Sequence, residues 1–118
     1  MGVTRFTALL PRSGDSDIDD YVEAIEYTMK VCGEDSVGIG TDMVQDQPDW
    51  LTEWCCRDKG YARLLTDYGV VKELGGLERH RMLPNLTGGL ERRGWPPRRI
   101  EKVMGENWMT FLKEVWGA

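Results

Sequence analysis

The sequence is poor in histidine and cysteine, and it contains no long apolar run. One histidine in 118 residues cannot supply a catalytic zinc site, which takes about three protein ligands. The three cysteines are odd in number and two of them, Cys55 and Cys56, are adjacent. This pattern argues against a disulfide framework and predicts a reducing, cytoplasmic location. Because the chain lacks about eighteen consecutive apolar residues and a basic leader, we expect no membrane segment and no targeting signal.

A basic patch is also missing. Fifteen basic and twenty acidic residues give a formal charge of −5, and the basic residues are scattered rather than interleaved with aromatic ones. Nucleic acid is therefore not an expected partner. The sequence is 41% hydrophobic and includes five Trp, four Tyr and two Phe, which is enough for a modest core. The length predicts one domain.

The first part of the chain predicts a strand, a helix and a second strand. Residues 2–10 are rich in β-branched and apolar side chains, which favours a strand. Apolar residues then recur on one helical face between a capping Asp17 and a terminating Gly33. The apolar, glycine-interrupted run at 36–42 predicts a second, buried strand. This order predicts a right-handed crossover, with the second strand parallel to the first or one position away.

The middle of the chain gives weaker signals. A polar segment follows the second strand, and Trp50, Leu51 and Trp54 then indicate a short helix. Residues 57–83 mix apolar side chains with the glycine pair Gly75-Gly76, and we predict a helix there. We thus expect residues 43–82 to form a variable loop and helical segment.

The end of the chain predicts three helical segments. One begins at Pro84 and closes at Gly94, and a second begins at the proline pair 96–97 and ends at Gly105. The last helix carries Trp108, Phe111 and Trp116 on one face. Their spacing predicts that these aromatic side chains are core or packing residues.

Four polar residues are candidates for a functional or bracing role. Asp42 closes the second strand, and the carboxyl ends of parallel strands carry the reacting groups of α/β enzymes. The alternative is that it caps a turn. Arg5 lies near the carboxyl end of the first strand and is a candidate for a substrate carboxylate, with a surface salt bridge as the alternative. We interpret His80 as a solvated loop residue outside any metal site, and Asn107 as a cap or brace of the final helix.

An ordered set of motifs resembles the carboxyl-terminal part of the renal (membrane) dipeptidase family of zinc metallopeptidases. The motifs are Val-Gly-Ile-Gly-Thr-Asp at 37–42, Leu-Pro-Asn-Leu-Thr at 83–87 with Leu90, Arg-Arg-Gly at 92–94, and the ending from Ile to Trp at 100–108. Each motif alone is weak, but their order and spacing together are specific. Residues 43–82 depart most from the family.

The resemblance implies a fold. It indicates an α/β chain that forms the carboxyl-terminal portion of a TIM-type (β/α)8 barrel of the amidohydrolase type, with the last two strands and the helices that follow them. Such a barrel takes about 250 residues, so we expect residues 1–118 to be a single partial domain that supplies its last quarter to third. Residues 43–82 would then lie over the active site.

The resemblance also implies a site that hydrolyses dipeptides with two zinc ions. The family aspartate that closes the last strand corresponds to Asp42, which would accept a proton from the attacking water or hold the free amine of the substrate. Met43 and Val44 stand where the family has Phe and Asp, so Met43 is a candidate substrate contact with a changed pocket shape. The zinc ligands of the family precede the matching region, and none of them can be assigned to this sequence.

Two functions from different classes follow. The first is the carboxyl-terminal part of a zinc-dependent dipeptidase, inactive on its own because the metal ligands are missing. The second is a non-catalytic remnant that acts as an interaction or oligomerising module. Two parallel strands cannot cover their own faces and edges, so we expect a homo-oligomer or association with the rest of a barrel.

Overall fold

A computed structural model describes residues 1–44, 46, 48–60, 63–65 and 71–117. Its strands are β1 (Gly2–Val3) and β2 (Gly38–Ile39), and its α-helices are α1 (Ile18–Cys32), α2 (Asp49–Cys55), α3 (Pro84–Arg92), α4 (Pro97–Glu101) and α5 (Asn107–Trp116). Single 3-10 turns lie at Thr7–Leu9, Ser13–Asp15, Glu34–Ser36 and His80–Met82, and a π turn at Lys102–Glu106 joins α4 to α5. The fold is mixed α/β. No helix within the described residues is long and apolar enough to cross a membrane.

The predicted parallel arrangement of the two strands is confirmed, but both strands are shorter than predicted. β1 and β2 pair in parallel with Gly2 opposite Gly38 and Val3 opposite Ile39. The pairing ends where the Gly40 N–H donates to the Val3 carbonyl at 3.0 Å. Beyond that point β1 has no ladder partner among the described residues, and the chain closes a 3-10 turn in which the Leu10 N–H donates to Thr7. The prediction of a strand through residue 10 is therefore wrong.

The helix α1 follows its sequence signals closely. The Asp17 side chain accepts from the N–H groups of Asp19 and Asp20, and the Asp20 carboxylate accepts from the Asp17 N–H, which forms a complete capping box. Arg12 binds both carboxylates and thereby lowers the pKa of Asp17 and of Asp20. The helix ends at Gly33, whose φ of +87° favours glycine. Local chemistry alone explains both ends of α1.

The core lies between α1 and the helices of the carboxyl-terminal part. Its fully buried apolar side chains are Tyr21, Val22, Ile25, Val37, Leu74, Leu77, Leu86, Leu90 and Val103. Gly89 lets α3 approach α1 closely, because a Cβ at that position would lie 2.5 Å from Ile18 Cγ2. Burial of this apolar surface holds the strand pair against the helices.

The predicted helix over 57–83 is wrong wherever the chain is described there. Residue Arg57 pairs with Leu64 in an antiparallel bridge, and Gly75 pairs with Asp17 in a parallel bridge. The only helical residues in this described stretch form the single 3-10 turn at His80–Met82. Leu74 is buried, and the glycine pair after it carries the extended segment along the start of α1. Residues 61, 62 and 66–70 lie outside the described part.

The last helix forms as predicted, but its aromatic side chains are not in the core. Phe111 is 50% exposed and Trp116 is 74% exposed, and α5 contributes no buried residue. The prediction is wrong for Phe111 and Trp116, because a helical apolar face indicates what a helix can bury and not whether this chain covers it. Trp108 is half-buried and contacts the strand pair.

Candidate functional site

A cavity of about 610 Å³ opens at the carboxyl ends of the two strands. Because β1 and β2 are parallel and in register, the residues that follow each strand reach the same edge of the sheet. Arg5 follows β1, Asp42 follows β2, and both side chains line the cavity. The structure thus brings together two of the three predicted site residues.

Asp42 has an unusual backbone conformation. Its φ is +52°, a left-handed conformation that few residues other than glycine adopt, although aspartate tolerates it better than most. The side chain is exposed, and no described residue forms a hydrogen bond or ion pair with its carboxylate. Unusual backbone conformations of this kind cluster at functional sites. The carboxylate is an acceptor available to a ligand in the cavity.

Arg5 is deeply buried, with 5% of its surface exposed. Its Nη1 pairs with the carboxylate of Glu73, while its buried Nε has no hydrogen-bond partner in the described part of the chain. The alternative predicted for Arg5 is a surface salt bridge. The ion pair exists, but the guanidinium is not at the surface. The positive charge of Arg5 also lies near the buried Tyr21 phenol, whose pKa burial raises despite that charge.

The segment that carries Glu73 is also held by side-chain bonds with residues that follow β1. The Thr7 hydroxyl donates to the Lys72 carbonyl at 2.7 Å, and Lys72 itself pairs with Asp15 at 3.1 Å. Sequence reasoning missed Lys72 and Glu73 as cavity residues because they lie more than sixty positions from β1. No local motif marks them.

Met43 is half-buried and packs against the hydrophobic core. It is not among the described residues that line the cavity. Its predicted role as a substrate contact stays a prediction.

The cysteines Cys55 and Cys56 do line the cavity, at the end of α2. Both are free thiols, Cys55 exposed and Cys56 half-buried. From the sequence they serve only as evidence against a disulfide framework. The position of α2 after the polar loop over the strand ends is the one signal that could have connected them with the cavity.

The described residues do not fit a zinc centre. No three His, Cys, Asp or Glu side chains converge on a common point in the ranges that the structure describes. His80 is exposed in the 3-10 turn before α3, apart from the residues that line the cavity. No chemical step can therefore be derived through a metal from this chain.

At the amino end of the strand pair, away from the cavity, the start of α5 contacts the backbone, and Trp108 reaches from there along β2. The Asn107 side chain donates to the carbonyls of Glu34 and Val37 at 2.8 and 2.7 Å, and Trp108 Nε1 donates to the Ile39 carbonyl at 2.9 Å. A Cβ on Gly38 would lie 2.5 Å from Trp108 Nε1, so only glycine leaves room for the indole. Asn107 acts as the brace that the sequence suggested, and it fixes β2 and hence the strand end that carries Asp42.

Comparison with known proteins gives two matches. An amidohydrolase from Pseudomonas aeruginosa, known from its crystal structure, is 50% identical and superposes with a TM-score of 0.92 over 99% of this chain and 36% of its own. A protein of Klebsiella pneumoniae described as an uncharacterized protein in the pqqA 5' region is 27% identical over 105 residues, which are 89% of this chain and 30% of that protein. No protein-family model matches the chain.

In both matches nearly all of this chain aligns with only a part of the other protein. The chain spans about a third of the length of these two proteins. It resembles a segment of an amidohydrolase in fold and in sequence, which supports a hydrolase-type segment.

Proposed function

We propose that this chain is the carboxyl-terminal portion of a TIM-type (β/α)8 barrel of a zinc-dependent dipeptidase. The observation that carries the proposal is the cavity at the carboxyl ends of β1 and β2, into whose wall a carboxylate and a guanidinium are brought together. Active sites of such barrels lie at this end of the strands. In this proposal residues 1–118 are one partial domain and residues 43–82 are the variable segment over the site.

Asp42 is the proposed catalytic residue. An exposed carboxylate without a partner among the described residues can accept a proton from the attacking water, or it can hold the protonated free amine of a dipeptide. Arg5 is proposed to bind the substrate at the other side of the cavity, where a guanidinium suits a carboxylate. Met43, beside Asp42, is proposed to shape the pocket from the core side.

Two zinc ions are proposed as the cofactors, held by residues outside this segment. The described residues offer no ligand set, so the metal would have to be bound by the rest of the barrel. The free thiols of Cys32, Cys55 and Cys56 support a reducing, cytoplasmic location. We therefore expect the chain alone to be inactive on dipeptides.

A non-catalytic interaction or oligomerising module is the second candidate. It is favoured by the exposed apolar face of α5, where Met109, Phe111, Val115 and Trp116 are each at least half exposed. Exposed apolar patches of this kind mark surfaces that other polypeptides cover. Association with the rest of a barrel or with further copies of the chain would cover it.

Complementation distinguishes these functions. The chain is mixed with a polypeptide that comprises the part of the Pseudomonas aeruginosa amidohydrolase that this chain does not match, and hydrolysis of a dipeptide panel is measured with and without zinc. We expect activity only in the mixture with zinc, and its loss when Asp42→Asn replaces the wild-type chain. Asp35→Asn, an exposed carboxylate near the other end of β2, is the matched control. Zinc-dependent activity of the chain alone would contradict the proposed source of the ligands, and full activity of Asp42→Asn would contradict the role of Asp42.

A further inference from the structure

Arg5 has more hydrogen-bonding capacity than its surroundings use. A guanidinium carries five N–H donors, and the described residues provide a single acceptor, the Glu73 carboxylate on Nη1. The residue as a whole is only 5% exposed, and its Nε group is buried without a partner among the described residues. Buried charges are normally compensated by several hydrogen bonds, so this one lacks an acceptor. Arg5 lines the cavity, where a ligand carboxylate can supply a further acceptor to its terminal nitrogens, while the Nε itself is enclosed by protein.

Glu73 differs from Arg5 in its exposure. Its side chain is 51% exposed and also lines the cavity. Its backbone is fixed on both sides, by the Thr7 bond to Lys72 and by the fully buried Leu74. The carboxylate thus stays beside the guanidinium when a ligand enters.

The charges of the cavity wall are nearly balanced before any ligand binds. Among its described residues Arg5 and Lys72 are cationic, and Asp42 and Glu73 are anionic. Lys72 is already paired with Asp15, which lies outside the wall. Of these two cations Arg5 is the one with a buried donor that no described residue satisfies, so we take it as the group that attracts an anion. The two carboxylates of the described wall stand against a second negative charge.

We propose that Arg5 forms a carboxylate subsite whose charge selectivity is set by Glu73, so that the cavity accepts ligands with one carboxylate and disfavours those with two. The inference rests on the substrate-binding role of Arg5 in the proposed function. It adds Glu73 as a specificity-determining residue that acts on the ligand through Arg5 and by repulsion. Substrates with an acidic side chain next to the bound carboxylate would be poor ones.

The test uses two probes that carry no amine and need no hydrolysis. N-Acetylglycine has one carboxylate and N-acetylaspartate has two, and each is titrated into the 118-residue chain at constant ionic strength, because salt screens such interactions. Nuclear magnetic resonance follows the Arg5 Nε–H signal and the backbone signals of the cavity wall. We expect N-acetylglycine to shift the Arg5 signal and to bind at least about threefold more tightly than N-acetylaspartate.

Variants identify the source of the selectivity. Glu73→Gln is expected to tighten N-acetylaspartate about tenfold and N-acetylglycine only about threefold, since the removed charge repels the dianion more. Arg5→Lys is expected to weaken both probes about tenfold, because an ammonium cannot form the paired bonds of a guanidinium. Glu101→Gln, an exposed carboxylate paired with Arg98 on α4, is the control and should change neither.

Three results would overturn the inference. The first is an Arg5 signal that N-acetylglycine leaves unmoved. The second is an equal gain in affinity for both probes in Glu73→Gln. The third is a gain in affinity in Glu101→Gln as large as that in Glu73→Gln. The direct Arg5 signal and Glu73→Gln keep the test valid if Arg5→Lys does not fold. Binding of N-acetylglycine at Arg5 without dipeptide hydrolysis in the complemented enzyme would leave the subsite in place and contradict the proposed function alone.

Discussion

The two ends of the β1–β2 pair are built for different purposes. At the amino end, side chains of α5 contact the backbone: Asn107 donates to the carbonyls of Glu34 and Val37, and the Trp108 indole packs on Gly38. From there Trp108 reaches along β2 to the carbonyl of its last residue, Ile39. At the carboxyl end, Asp42 has no described partner and Arg5 has only one. Satisfied hydrogen bonds favour a single rigid arrangement, whereas unsatisfied polar groups leave capacity for a ligand. The comparison indicates a rigid support at the amino end of the strand pair and a binding surface at its carboxyl end.

The largest expected effect comes from Asp42→Asn at the carboxyl end. In the complemented enzyme we expect activity to fall by about 100-fold or more, the usual range for removal of a general base, with little change in stability. Steady-state kinetics and thermal unfolding of the same preparations measure both. A loss of stability as large as the loss of activity would mean that this end, too, is structural.

At the amino end, we expect Gly38→Ala to lower the stability of the fold directly, whereas Asp42→Asn lowers activity with little change in stability. The new methyl group would meet the Trp108 indole, and we expect unfolding in urea to show a loss of about 1–3 kcal/mol, as overpacking typically costs.

Gly88→Ala is the control for that change, because the same methyl group on α3 meets nothing closer than 3.7 Å. It should leave stability unchanged or raise it by about 0.5–1 kcal/mol, since alanine favours helix. Equal losses in both variants would show that the contact with Trp108 is not what makes Gly38 necessary.

Asn107→Asp tests the polar part of the brace. A carboxylate cannot donate to the carbonyls of Glu34 and Val37, so we expect a loss of about 1–2 kcal/mol in urea unfolding. Asn85→Asp removes a single exposed bond to the Gly76 carbonyl and should cost less. A smaller effect at Asn107 than at Asn85 would contradict the bracing role.

The smallest expected effect is a dependence of stability on pH, which arises at the start of α1 and at neither end of the strand pair. Arg12 lowers the pKa of Asp17 and Asp20 in the folded chain, so the unfolded chain binds protons more readily. The stabilisation is therefore complete above the unfolded pKa of about 4 and is lost as the pH falls through the lower folded values. Urea unfolding between neutral and strongly acidic pH measures it. Arg12→Met should flatten this dependence, whereas Lys72→Met, whose partner Asp15 is largely exposed, should leave it unchanged.

Local signals predicted the parts of the fold that local chemistry determines. The caps of α1 and the parallel strand pair follow from residues close together in sequence, and so does the position of Asp42 at a strand end. The lengths of the strands depend on available partners, and the exposure of Phe111 depends on what covers α5. Neither property is encoded near the residues concerned.

The candidate site was predictable only in half for the same reason. The strand order was sufficient to bring Arg5 and Asp42 to one edge. The Glu73 partner of Arg5 is 68 positions away, on a segment whose sequence predicted a helix. A contact of this kind is created by tertiary packing, and no pattern along the chain indicates it.

The brace between α5 and β2 also has a consequence for the order of folding. The Trp108 bond to Ile39 spans 69 residues, so it forms only after the residues between them have been synthesised. Contacts of such long sequence separation slow folding, because the intervening chain must first be ordered. During translation β2 would lack this hydrogen-bonded cover until residues 107 and 108 leave the ribosome. The strand pair is then made well before the residues that complete it.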